Sequence, residues 1–134
     1  MAVDLRFITA ALKMNNDLER MGDLAVHIAE RALALMEAPP VKPGIDIPHI
    51  GALVQSMVRK ALDSFVAKDA ELARSVLAAD DGFDNLRTAF FQELINFVQR
   101  EPGHIPQTLG LLSVVRDHER IADYCTSIAE DVLL

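Results

Sequence analysis

The chain has 134 residues, of which 51% are hydrophobic, so it can bury the core of one domain. Its 13 basic and 20 acidic side chains give a net charge of −7, which argues against a broad basic face for nucleic acid or anionic membrane. The single cysteine cannot form an intrachain disulfide, and no apolar run approaches the ~20 residues that span a bilayer. The composition therefore predicts a cytoplasmic protein that neither binds nucleic acid nor inserts into a membrane.

The first predicted element is a long helix over residues 1–37. Its apolar residues recur three and four positions apart, which is the period of an α-helix, and they form one continuous face. These residues are Phe7, Ala11, Met14, Leu18, Met21, Ala25, Ile28, Ala32 and Leu35. Three prolines and a glycine in residues 38–47 end the helix and predict an extended linker, because proline cannot continue a helix.

Residues 48–134 contain three more helices with the same period. Their apolar faces run from Ile50 to Phe65, from Val76 to Phe97 and from Leu111 to Val132. A weak break at Lys68 and Asp69 separates the first two of these helices, and a proline-glycine break separates the last two. No stretch alternates with a period of two, so the predicted fold class is all-α. It is a three-helix bundle preceded by one orphan long helix.

The first and last helices are copies of one another. Residues 17–33 align with residues 117–133 at a constant offset, and eight positions are identical. The identical residues of the first copy are Asp17, Glu19, Arg20, Asp23, Ile28, Ala29, Glu30 and Leu33. A tandem duplication of a helical unit explains this match. Two helices precede the second copy and none precedes the first, so the first unit is expected to lack two helices.

Acidic side chains recur four residues apart beside three of the apolar faces. The pairs are Glu19 and Asp23, Asp80 and Asp84, and Glu119 and Asp123. Like charges one helical turn apart repel each other unless a cation lies between them, and carboxylate oxygens suit Mg, Mn, Ca or Fe. We therefore predict one metal site formed by Asp80, Asp84, Glu119 and Asp123, and an incomplete one at Glu19 and Asp23. The alternative is that these are surface charges paired with Arg20, Arg87 and Arg120.

Other polar side chains of the two copies have simpler interpretations. His118 and Cys125 lie on the apolar face of the last helix and are predicted to be core residues. Asp117 lies on the far side of that helix and is predicted to be solvated, as is His27. An alternative role for His118 is that of a phosphotransfer histidine labelled by a kinase. No nucleophile-and-base set is visible, so the chain is not predicted to be an enzyme.

Together these residues resemble the PhoU family of phosphate-uptake regulators. The resemblance rests on the duplicated Glu-Arg-x-x-Asp followed by Ile-Ala-Glu, and on the Asp80-Asp81-Gly82-Phe83-Asp84 segment. It covers essentially the whole chain and implies paired three-helix bundles, the first lacking two helices here, with carboxylate clusters for divalent or iron ions (Mg, Mn, Fe or Zn). It also implies a non-catalytic negative regulator of the phosphate-starvation response. Such a regulator links the ATPase of a phosphate ABC transporter to a sensor histidine kinase.

The predicted organisation is an incomplete first bundle (residues 1–37), a proline-rich linker (38–47) and a three-helix bundle (48–134). A helix that leaves its apolar face in water is a sticky surface, so we expect it to pair with a second chain rather than fold back on a closed bundle. This predicts a homodimer, or a domain-swapped pair, through residues 1–37. The alternative functions are a metal-binding helical storage or redox protein and a phosphotransfer domain.

Overall fold

A computed structural model of the chain describes residues 2–41, 44 and 46–134. It contains four α-helices: α1 (Ala2–Glu37), α2 (Ile47–Ala67), α3 (Ala70–Arg100) and α4 (Ile105–Leu133). A short 3-10 turn, Pro102–His104, leads into α4. The described residues form no strand, which confirms the all-α prediction. Residues 42–43 and 45 of the predicted linker lie outside the described residues, as does Met1.

The predicted break at Lys68 and Asp69 is the turn of an α2–α3 hairpin. Lys68 adopts the left-handed conformation (φ 52°, ψ 43°), and its backbone N–H donates to the carbonyl of Phe65 at the end of α2. The side chain of Asp69 then accepts from the backbone N–H of Leu72 at 3.0 Å, which caps the start of α3. The two residues therefore end one helix and start the next.

The core lies where α2, α3 and α4 meet. Its fully buried side chains come from all three helices and include Met57, Ala61, Val76, Phe83, Phe90, Val115, Ala122, Cys125 and Ile128. Cys125 is a core residue as predicted, and burial raises the pKa of its thiol to about 12. His118 is also buried, and its Nδ1–H donates to the carbonyl of Val114 at 2.8 Å. Both residues therefore belong to the packed core of the bundle.

Helix α1 does not stand apart from the bundle, so the expectation that it would not fold back was wrong. It packs antiparallel along α4: Lys13 reaches Asp131 near one end, and Leu35 lies over Gly110 near the other. The physical reason is that α2 and α3 cover only part of α4. The remaining side of α4 is free to accept a fourth helix.

Docking covers much of the apolar face that we expected α1 to expose. Met21 is buried, and Met14, Leu18 and Ile28 are partly buried against the core. The large apolar side chains of α1 that stay exposed are mostly different ones: Val3, Leu5, Phe7, Ile8, Leu12, Val26, Leu33 and Met36. Helix α1 therefore has two apolar faces, one packed on α4 and one in solvent.

Asp117 is buried rather than solvated, which corrects the sequence-based expectation. It is 4% exposed, and its Oδ2 accepts a hydrogen bond from Nδ1 of His27 at 2.6 Å. His27 in turn is half-buried instead of free in water. The cause is α1, which covers a side of α4 that the apolar periodicity of α4 alone assigns to solvent.

This pair generates a prediction about stability. Replacing His27→Ala leaves the Asp117 carboxylate buried without a partner, so the free energy of unfolding should fall by about 1–3 kcal/mol. The matched control is Lys13→Ala, which breaks the more exposed pair with Asp131 on the same helix contact and should cost at most about 1 kcal/mol. Urea unfolding at pH 7 measures both. Equal losses in the two variants would contradict a special role for the buried pair.

Candidate functional site

The structure places the four carboxylates predicted for the α3–α4 pair within electrostatic reach of one another. Burial raises the pKa of Asp80, and the charges of Asp84 and Asp123 raise it further. Burial likewise raises the pKa of Asp123, followed by the charges of Glu119 and Asp84. Carboxylates of α3 and α4 therefore face one another across the helix contact, and we call these four residues the acidic cluster.

Core packing places the acidic cluster at the edge of the bundle. Phe83 is fully buried, so Asp84, which follows it on α3, lies just outside the core. On α4, Ala122 is fully buried and Asp123 follows it in the same way. Because neighbouring residues of a helix point about 100° apart, a buried residue followed by a carboxylate puts that carboxylate at the rim.

Arg87 provides the cluster with a counter-charge from within the protein. Its Nη1 donates to Oε1 of Glu119 at 2.6 Å, and its Nη2 lies 3.8 Å from Oδ1 of Asp84. This is one of the ion pairs that the sequence offered as the alternative to metal binding. The other two candidates, Arg20 and Arg120, form no ion pair with any residue that the structure describes.

The donor chemistry of the cluster suits a hard cation, but the present arrangement is that of an ion-pair network. The carboxylates offer hard oxygens and repel one another, which a divalent ion would relieve. Within the described ranges, however, no three His, Cys, Asp or Glu side chains are grouped so as to hold a metal. Glu119 would have to turn away from Arg87 to become a ligand.

The second predicted pair, Glu19 and Asp23, is not brought to the acidic cluster. Both side chains are exposed on α1, and the cluster lies on the α3 side of α4. Asp23 instead lines a cleft of about 410 Å³ at the α1–α4 contact. Glu19 and Asp23 thus remain an incomplete metal site, as the sequence predicted them to be placed without an opposing acidic pair.

Sequence reasoning missed the polar residues buried between α1 and α4. Asp17 is 7% exposed, and its Oδ2 is buried without a hydrogen-bond partner among the residues described. Asp117, its duplicate on α4, bonds to His27. The signal that could have found them is their identity in both copies of the repeat.

The comparisons with known proteins agree with one another. A family described as the PhoU domain matches residues 1–32 and 47–132. A PhoU homolog of Aquifex aeolicus, called a phosphate-specific transport system accessory protein, is 42% identical over 119 residues. That alignment covers 89% of this chain and 54% of the relative. A homolog with the same description from Caulobacter vibrioides is 40% identical over 131 residues, covering 97% of this chain and 57% of the relative.

A solved structure gives the same result for the fold. The crystal structure of PhoU from Pseudomonas aeruginosa superposes with a TM-score of 0.88 at 37% identity, covering 99% of this chain and 64% of that one. The chain thus spans a little over half the length of the curated relatives named above. None of the described helices combines the length and the apolar character needed to cross a membrane.

Proposed function

The chain belongs to the PhoU domain family, and from this membership we propose that it is a non-catalytic cytoplasmic adaptor that represses the phosphate-starvation response. Its proposed partners are the ATPase of a phosphate ABC transporter and a membrane sensor histidine kinase. The observation that carries the proposal is the agreement of family, sequence and fold over nearly the whole chain with phosphate-transport accessory proteins.

The chemistry of the buried nucleophilic side chains supports a role without catalysis. The hydroxyl of Ser64 donates to the carbonyl of Ala61 in its own helix, and that of Thr108 donates to the carbonyl of His104 in the turn before α4. Cys125 is held as a thiol, because burial raises its pKa to about 12. His118 is buried, and its Nδ1–H donates to a backbone carbonyl, which disfavours the phosphotransfer alternative because a kinase must reach the ring.

The regulatory role predicts repression in cells. A bacterium deleted for its own family member should express a phosphate-starvation reporter at high phosphate, and this chain should restore repression. Met57→Asp, which buries a charge in the core, is the control that should fail to repress. Copurification with the transporter ATPase and with the kinase identifies the partner. A reporter that stays active while the folded chain is present would contradict the proposal.

We further propose that the acidic cluster binds a divalent or iron ion when Arg87 releases Glu119. Support comes from the raised pKa of Asp80 and Asp123, which is caused first by burial and then by repulsion from neighbouring carboxylates. A carboxyl with a raised pKa destabilises the fold above that pKa, because the folded state holds the proton more tightly than the unfolded chain does. The penalty disappears as the pH falls through the raised pKa toward the ordinary value of 3.8. A cation relieves the same penalty at neutral pH.

Metal binding predicts a shift in thermal stability. Mn²⁺, Mg²⁺ or Fe²⁺ at a hundredfold excess over its dissociation constant should stabilise the chain by about 2.7 kcal/mol. The double change Asp84→Asn with Asp123→Asn should abolish the rise in Tm, and in chelator it should leave stability equal or slightly higher. Asp63→Asn, on the exposed side of α2, is the control. Identical melting curves with metal and with chelator would contradict the site.

The exposed face of α1 supports the proposed homodimer, with residues other than those first named. The side chains Leu5, Ile8, Leu12, Val26, Leu33 and Met36 are each more than half exposed. Their separations of three, four, seven and fourteen residues place them all in one heptad register, the pattern of a coiled-coil seam. This exposed stripe, defined by these six residues, lies beside the α4 contact, and Leu5 also lines a cleft of about 430 Å³ with Asp131 of α4.

The stripe is complementary to itself in an antiparallel pair. Leu5 and Met36 lie at equal distances from the point between Arg20 and Met21, and so do Ile8 and Leu33. A two-fold axis at that point therefore brings Leu5 of one copy to Met36 of the other, and Ile8 to Leu33. Such an isologous contact closes after two chains, which favours a dimer over a fibre.

Pairing through the stripe predicts the mass of the protein in solution and the effect of mutations on that mass. Light scattering at micromolar concentration should give about twice the chain mass of 14.7 kDa. Leu12→Glu and Leu33→Glu should each give the monomer mass, because dimer formation would bury a charged carboxylate and strip its hydration shell. The control Val66→Glu changes an exposed apolar residue of α2 and should leave the dimer intact. A monomeric wild-type chain, or a dimer that survives both changes, would contradict the interface.

A further inference from the structure

A cleft at the middle of the α1–α4 contact is lined by the duplicated arginines. The contacts of Lys13 with Asp131 and of His27 with Asp117 fix the register of the two antiparallel helices. On α1, Arg20 lies midway between the two contacts, and Tyr124 lies midway between their partners on α4. Arg20 therefore lies opposite Tyr124. Arg120, which is one turn before Tyr124, lines the same cleft of about 410 Å³.

Both guanidinium groups are available to a ligand. Arg20 and Arg120 are exposed, and neither lies within 4.0 Å of a carboxylate oxygen among the residues described. Arg87, by contrast, is committed to Glu119. The Asp117 carboxylate at the side of the cleft is buried and bonded to His27, so it is not the counter-ion of either arginine.

We propose that this cleft binds inorganic phosphate as a dianion, with Arg20 and Arg120 as its charged ligands. An arginine presents paired N–H donors that match two oxygens of a tetrahedral oxyanion. The two residues are about one helical turn apart along the contact, roughly 6 Å, which their long side chains can span. The proposal rests in part on the proposed regulatory function, since it gives the chain a direct way to respond to phosphate.

The duplication explains how two arginines come to line the same cleft. Arg20 and Arg120 are equivalent residues of the two copies, as are Leu24 and Tyr124, and all four line the cleft. Docking of one copy against the other therefore brings two equivalent cations to a shared centre. Neither helix alone carries both groups.

Asp23, which also lines the cleft, gives the site a basis for selectivity. At neutral pH a phosphate dianion keeps one hydroxyl, whereas sulfate carries no proton. An ionised carboxylate only accepts hydrogen bonds, so it can accept from the phosphate hydroxyl but repels every oxygen of sulfate. The cleft should therefore prefer phosphate, and Asp23→Asn should reduce that preference.

The test measures phosphate binding by the purified chain at pH 7. Binding is detected by ³¹P NMR line broadening and by the rise in Tm. Sodium phosphate is titrated at constant ionic strength against chloride, with sulfate as a second arm. Arg20→Gln and Arg120→Gln should each weaken phosphate binding at least tenfold. The control Arg74→Gln removes an exposed arginine of α3 and should bind like wild type. Asp23→Asn should raise sulfate binding relative to phosphate severalfold.

The outcomes separate this inference from the regulatory role. Absence of saturable phosphate binding, equal binding of sulfate by the wild-type chain, or binding unaffected by both arginine changes would overturn the phosphate site. If the reporter in cells is still repressed in that case, the adaptor function stands without the site. Phosphate binding by a chain that fails to repress would instead count against the adaptor function alone.

Discussion

The docking of α1 along the uncovered side of α4 is the constraint on which the other features depend. It buries Asp117 and satisfies that carboxylate with His27 at 2.6 Å, so the two helices share one register. A shifted register would leave the Asp117 carboxylate buried without a partner, which costs free energy. The contact between α1 and α4 therefore strongly prefers the observed register. The same alignment creates the cleft between the arginines and leaves the exposed stripe of α1 on the outside.

The two copies of the repeat perform different tasks because their surroundings differ. In α4 the small residues Ala122, Cys125 and Ala129 are fully buried beneath α2 and α3, whereas Gly22, Ala25 and Ala29 of α1 are exposed. The acidic pair of α4 therefore meets Asp80 and Asp84 of α3, and the pair of α1 faces water. One duplicated motif thus contributes to an ion-pair cluster in one copy and to the rim of a cleft in the other.

Helical periodicity predicted what depends on a single helix. It identified the four helices, the break at Lys68 and Asp69, and the burial of His118 and Cys125, because each of these follows from the apolar face of one segment. It could not predict the burial of Asp117, since α4 has a second covered side that only the position of α1 defines. It placed the acidic pairs on facing helices and offered Arg87 as an ion-pair partner, but it could not decide between metal binding and the Arg87–Glu119 pair, because that contact depends on the relative heights of α3 and α4.

Hydrogen exchange along α1 tests the central claim, the docking of this helix on α4, most directly. At submicromolar concentration, where a weak dimer dissociates, the amides between Lys13 and Ile28 should be protected nearly as well as those of α4, because their opening requires the contact to break. His27→Ala should lower protection in this stretch together with the facing part of α4. Exchange of the whole of α1 at the rate of a free helix, with α4 still protected, would contradict the account.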